Sequence, residues 1–155
     1  MRWIEIEQAH PEFATRLAAI FDAHPHKVMA TVSRDGSPRI SGTEMRFLDG
    51  DAWIGSMADA RKLADLRRDP RVAVHCAPID LTLASGDAKL SAAVIEATPA
   101  DIERWEEASG QVFPPGSGAL FWLDITSAAI TRVSGNRLVI DTWSEAGGHR
   151  TVDRA

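Results

Sequence analysis

The sequence predicts a mainly β, α+β protein, an antiparallel barrel with short flanking helices. Three observations carry that expectation. Asp35-Gly36 and Asp49-Gly50 each separate two strand-like runs, and Asp-Gly supplies the positive φ angles of a tight hairpin. About six or seven strand-like runs follow along the chain, while helical spacing is confined to two or three short stretches. No β-α-β alternation appears, which argues against a parallel sheet.

Taken in order, residues 11–24 read as a helix, with Pro11 in the first turn and Phe13, Leu17, Ile20 and Phe21 at helical spacing. Residues 27–33 read as a strand that places Val28, Ala30 and Val32 on one face. Residues 38–48 and 52–56 complete a three-stranded meander. A short helix over 60–68 turns Leu63 and Leu66 inward, and Asp69-Pro70 stops it. Residues 71–77 form a fourth strand and 78–86 a loop. Residues 87–97 form a fifth strand, alternating Ala88, Leu90, Ala92 and Val94. Thr98 caps a further helix with Pro99 in its first turn, and Gly110 ends it. Residues 120–133 and 138–143 are the last long strands, with a short one expected at 150–152.

Composition bounds the function. The chain has 155 residues, 45% hydrophobic and 25% charged, which suits one globular domain spanning the whole chain, 1–155. A net charge of −5 argues against a dedicated nucleic-acid binder, whose affinity comes from neutralising phosphates. The single cysteine, Cys76, excludes an internal disulfide and reads as a buried thiol. No apolar run approaches the roughly 18 residues of a membrane helix. Acids at Glu5 and Glu7 come too early for a secretory signal, so a cytoplasmic protein is expected. Tyrosine is absent, which excludes tyrosine-based catalysis. The tryptophans at 3, 53, 105, 122 and 143 read as core and interface packing.

The chemically informative stretch runs from Trp53 to Val72. A strand ends at Ser56, a helix begins near Asp59 or Ala60, and Arg61 and Lys62 occupy its first turn. Cations are misplaced there, because the helix amino end carries about half a positive charge. Free backbone N–H groups, two cations and the Ser56 hydroxyl together suit a bound anion such as phosphate. Two plainer readings stand beside it: Asp59 as the helix cap, and Arg61 paired with Asp65. On the strand before, Ile40, Gly42, Glu44 and Arg46 share one face and Ser41, Thr43 and Met45 the other. Gly42 in mid-strand marks a close approach by backbone or ligand. Ser41 and Thr43 line a ligand wall or face solvent.

These motifs resemble the pyridoxamine 5′-phosphate oxidase-like, flavin-binding split-barrel superfamily. The resemblance rests on Asp35-Gly36-Ser37-Pro38, on Ser56 followed by Ala60-Arg61-Lys62, and on Arg68-Asp69-Pro70-Arg71-Val72. It implies a six-stranded antiparallel split barrel and a homodimer with the cofactor at the interface. It implies that Arg61 and Lys62 hold a flavin phosphate and that Ser56 contacts the ring or ribityl chain. Ser41, Gly42 and Thr43 would supply further contacts, and Arg46 a positive charge near the phosphate or the pyrimidine edge. Ser41 and Arg46 stand where the oxidase has an arginine and, five residues on, a lysine. Gly148-His149-Arg150-Thr151-Val152 only faintly resembles the substrate-binding end of the oxidase. The implied function is hydride transfer to or from a small molecule through FMN, with the 8-hydroxy-5-deazaflavin coenzyme as the alternative cofactor. A non-catalytic flavin- or haem-binding module is the alternative role, with His24, His26 or His75 as the iron ligand.

Overall fold

The computed structural model describes residues 1–76 and 80–154. Two short helices, α1 (Trp3–Ala9) and α2 (Pro11–Asp22), precede a meander of β1 (His26–Val32), β2 (Pro38–Leu48) and β3 (Asp51–Met57). Then come α3 (Arg61–Arg68), β4 (Arg71–His75), β5 (Asp87–Glu96), α4 (Pro99–Ser109), β6 (Gly118–Ser134), β7 (Arg137–Ser144) and β8 (Gly148–Arg154). The expected ends of the elements fall within two residues of these bounds. Ala77, expected to finish the fourth strand, and residues 78–79 of the following loop lie outside the described residues.

All strand pairs are antiparallel, in the order β3-β2-β1-β4-β5-β6-β7-β8. A further pairing of β3 with β6 closes the first six strands of that order into a barrel. The 17 residues of β6 make closure possible. Its first part pairs with β3, from Met57↔Gly118 to Trp53↔Trp122. Its second part pairs with β7, from Ser127↔Ser144 to Ser134↔Arg137. A register shift between Ser91 and Ala92 bends β5 along it. The turn between β2 and β3 follows the Asp-Gly expectation, since Asp49 and Gly50 both have positive φ, 48° and 76°.

The barrel interior is filled by Met29, Met45, Ile54, Leu90, Leu123 and Ile125, all essentially inaccessible. Helices α1 and α2 add Trp3, Ile6, Phe13, Leu17 and Phe21 to the same core. Helix α1 has no counterpart in the sequence expectations. Seven residues are too short to show helical periodicity, and Trp3 and Ile6 alone mark its buried side. Tertiary contacts hold it instead. The Met1 ammonium pairs with Asp124, and Arg2 reaches the buried Asp51.

Strand β1 buries the face opposite Val28, Ala30 and Val32. Lys27, Met29 and Thr31 point inward. Both polar groups are satisfied there: the Lys27 ammonium donates to the carbonyls of His24 and Pro25, and the Thr31 hydroxyl to Asp65. The outer face is left apolar. Val28 is 47% exposed and Ile40 74%. In register, Ile40, Ala30 and Ala73 form one row across three strands, and Gly42, Val28 and His75 the next.

Candidate functional site

Helix α3 begins without a side-chain cap. Its N-cap is Ala60, so Asp59 does not serve, and the first turn contains no acid. The Leu63 N–H donates to the Ala60 carbonyl at 2.9 Å, which leaves the N–H groups of Arg61 and Lys62 without a capping oxygen among the described residues. Arg61 is not paired with Asp65. That carboxylate is 3% exposed and already accepts from Arg39 Nε at 2.6 Å, Thr31 Oγ1 at 3.1 Å and Arg68 Nη2 at 3.1 Å. Burial alone would raise the Asp65 pKa, but these donors outweigh it and hold it below the usual carboxylate value. Arg61 is exposed and makes no ion pair among the described residues. Lys62 turns back to β2, where its Nζ donates to the Gly42 carbonyl at 2.7 Å. Partial burial lowers its pKa from the ordinary lysine value.

Two strands meet this helix. The β2–β3 ladder ends at Met45↔Ile54. Carried two residues further, the same register sets Thr43 level with Ser56, both on the inward face. Beyond that point β3 pairs with β6, Ser56 opposite Ala119. Ser56 is 6% exposed and its Oγ has no hydrogen-bond partner. A buried hydroxyl left unpaired costs about 1–3 kcal/mol. Thr43 is equally buried and spends its hydroxyl on the neighbouring Glu44 carbonyl at a long 3.3 Å. Ser41 is half-buried on the same side.

Lys62 is thus joined to β2 at Gly42, between Ser41 and Thr43, and Ser56 lies level with Thr43 on the next strand, while Arg61 is exposed at the start of α3. The structure sets Arg46 apart. That residue faces outward, four positions and about 13 Å along the strand from Gly42. Arg46 lies close enough to Asp22 to oppose, with Lys27, the rise in pKa that burial causes there. Gly42 is not forced by packing, since an added Cβ would meet nothing within 4 Å. Gly118 is forced, because its Cβ would lie 1.9 Å from the Ser56 carbonyl oxygen. Of the histidines, His75 faces Asp87 at 3.5 Å and His26 faces Glu44 at 4.0 Å. Arg39 and Thr31 have no place in the sequence expectations, which give Asp65 only as a partner of Arg61. Parity along β2 was the available signal, since Arg39 shares the inward face with Ser41 and Thr43.

Residues 13–134 match the family model described as pyridoxamine 5′-phosphate oxidase. The chain belongs to that family. No curated protein matches it. Among solved structures of the same fold, the chain is similar to PhzG from Burkholderia lata 383, in complex with tetrahydrophenazine-1-carboxylic acid. The TM-score is 0.69 at 12% identity, over 96% of this chain and 91% of that one. It is also similar to a pyridoxamine 5′-phosphate oxidase-related, FMN binding protein from Nostoc punctiforme. There the TM-score is 0.67 at 13% identity, over 94% and 96% of the two chains. A heme binding protein from Mycobacterium smegmatis gives 0.58 at 17% identity, over 83% of this chain and 55% of that one. At such identities the likeness is one of fold, and proteins of that fold host more than one ligand chemistry.

Proposed function

We propose that this member of the pyridoxamine 5′-phosphate oxidase family is a cytoplasmic, FMN-dependent oxidoreductase. It acts on a small molecule, as a homodimer with the cofactor at the interface. The observation that carries the reading is the pairing of an uncapped, doubly cationic helix start with a buried, partnerless Ser56 hydroxyl five residues upstream. One end asks for an anion and the other for a polar group in an enclosed place, and a phosphorylated ring system offers both.

The residues fit the cofactor. Arg61, Lys62 and the free N–H groups of α3 would hold its phosphate. Ser56, with Ser41 and Thr43, would meet ribityl or ring oxygens. When bound, the flavin supplies the hydride chemistry. The chain's residues bind and orient it, and the cations of α3 favour negative charge nearby. No side chain at the site is assigned as a general base. The rows Ile40-Ala30-Ala73 and Gly42-Val28-His75, with Ile40 and Val28 exposed, supply the face for a second copy. Gly42, open above its Cα, leaves room there for close approach. The 8-hydroxy-5-deazaflavin coenzyme also presents a phosphate and a tricyclic ring, so it is the second ligand to test.

The test is a titration of purified protein with FMN, riboflavin and the deazaflavin coenzyme, read by absorbance and fluorescence, with the mass in solution measured alongside. Micromolar binding of FMN, much tighter than of riboflavin, is expected of a dimer. Turnover of reduced cofactor with an electron acceptor separates an enzyme from a storage module. Failure to bind either phosphorylated cofactor ends the reading.

A further inference from the structure

Asp65 lies one helical turn below the two cations, four residues after Arg61 and three after Lys62. It is the one acid in α3, and at 3% exposure it is nearly sealed from water. Its carboxylate takes a hydrogen bond from β1 through Thr31 and one from β2 through Arg39, and a third from Arg68 in its own helix. Apart from Leu63 and Leu66, nothing else of this eight-residue helix is buried. A helix this short has little stability of its own. Leu63, Asp65 and Leu66 fix its buried side, and Asp65 is the polar anchor among them.

We propose that Asp65 is a positioning residue for the anion site. It fixes α3 against β1 and β2, and it is withdrawn from Arg61, which is thereby left without an internal counter-charge. The inference rests on the reading of Arg61 and Lys62 as phosphate ligands. In an isolated helix, Arg61 and Asp65 at i,i+4 would attract one another. Here Arg39 and Arg68 occupy the carboxylate instead. The cluster of Asp65, Arg39 and Arg68 keeps a cation free at the helix start while the acid stays buried.

The proposal has a sign opposite to simple electrostatics. Removing a carboxylate near an anion site strengthens anion binding by Coulomb attraction. Loss of a positioning anchor weakens it. The experiment measures FMN, riboflavin and orthophosphate affinities for the wild type, Asp65→Asn, Arg61→Met and the double variant. Circular dichroism reports folding. The expected result is that Asp65→Asn loses FMN affinity by about ten-fold while riboflavin affinity is unchanged. In the Arg61→Met background the same substitution costs much less, as coupled residues require. Unchanged or tighter FMN binding overturns the proposal. So does an equal loss in both backgrounds, or a loss shared by riboflavin. Should Asp65→Asn not fold, Thr31→Val removes one anchor and is read in the same way. A wild type that binds orthophosphate but not FMN defeats the cofactor reading alone, and the orthophosphate series then decides the role of Asp65. A wild type that binds neither defeats both.

Discussion

Arg61 and Lys62 are neighbours in sequence, yet as the proposed phosphate ligands they should carry unequal weight. A charge-assisted hydrogen bond contributes about 1.5–3 kcal/mol. Arg61 is exposed and unpaired among the described residues, so it can add that contribution nearly undiminished. Lys62 starts from a 2.7 Å bond to the Gly42 carbonyl, which it must release or share. That bond is itself charge-assisted, so releasing it offsets most of what the phosphate returns. The net contribution of Lys62 to binding then runs from about zero to about 1.5 kcal/mol. Substitution by methionine removes the charge and keeps an unbranched stem at each position. Arg61→Met should weaken FMN binding roughly 10–150-fold, and Lys62→Met at most roughly 12-fold. The assay is titration of FMN fluorescence at fixed, low ionic strength, with riboflavin as the control that lacks a phosphate. Riboflavin affinity should move little in either variant. A Lys62→Met loss as large as that of Arg61→Met would refute the reasoning, as would equal losses for riboflavin.

Ser56→Ala removes a buried hydroxyl that has no partner, so the unliganded protein should gain about 1–3 kcal/mol of stability, a rise of at least about 2 °C in melting temperature. The same variant should bind FMN several-fold more weakly, and a destabilised unliganded protein would contradict the orphaned hydroxyl. Gly118→Ala drives a Cβ to 1.9 Å from the Ser56 carbonyl oxygen and 2.8 Å from its carbon, both backbone atoms in a paired strand. It should cost about 3 kcal/mol or more, read as a lower denaturant midpoint, and a neutral outcome would mean that β3 and β6 separate easily there. Burial lowers the Lys62 pKa in the free protein, and a bound phosphate would raise it again. FMN binding should therefore take up protons on the alkaline side and weaken as pH rises, by calorimetry in buffers of different ionisation enthalpy. Binding stronger at alkaline pH would reverse the sign and exclude Lys62 as a ligand.

Most of the barrel could be read from local chemistry. Asp-Gly turns and period-2 alternation set the β1–β3 meander, and Thr98 and Pro99 set the start of α4, with Asp101 completing the capping box. What could not be read depends on contacts far apart in sequence. Period-2 alternation in β1 offers two faces, and Val28-Ala30-Val32 is the more apolar of them. The barrel nevertheless buries Lys27, Met29 and Thr31, because His24, Pro25 and Asp65 satisfy the polar atoms. Helix α1 depends in the same way on Asp51 and Asp124, many residues away. At the site, the strand-to-helix junction announced itself through two cations in the wrong turn. The fate of Asp65 did not, because i,i+4 spacing pointed to Arg61, whereas Arg39 lies 26 positions distant.

The features that mark the site are also those that weaken this part of the fold. A missing cap costs α3 about 1 kcal/mol. Two cations in its first turn cost a few tenths to about 1 kcal/mol each. The unpaired Ser56 hydroxyl adds about 1–3 kcal/mol. The sum is roughly 3–6 kcal/mol, a large part of the 5–15 kcal/mol by which folded domains are usually stable. Nothing in the packing of α3 compels it, since Leu63, Asp65 and Leu66 would anchor the helix equally well behind a capped, acidic first turn. Local rules broken together, at one junction and without internal compensation, are expected where a ligand supplies what is missing. Occupancy should accordingly stabilise the chain well beyond the helix itself, because β3, α3 and β2 meet at the same point. Melting temperature should climb with FMN concentration as mass action requires, and riboflavin at equal concentration should produce much less of the rise.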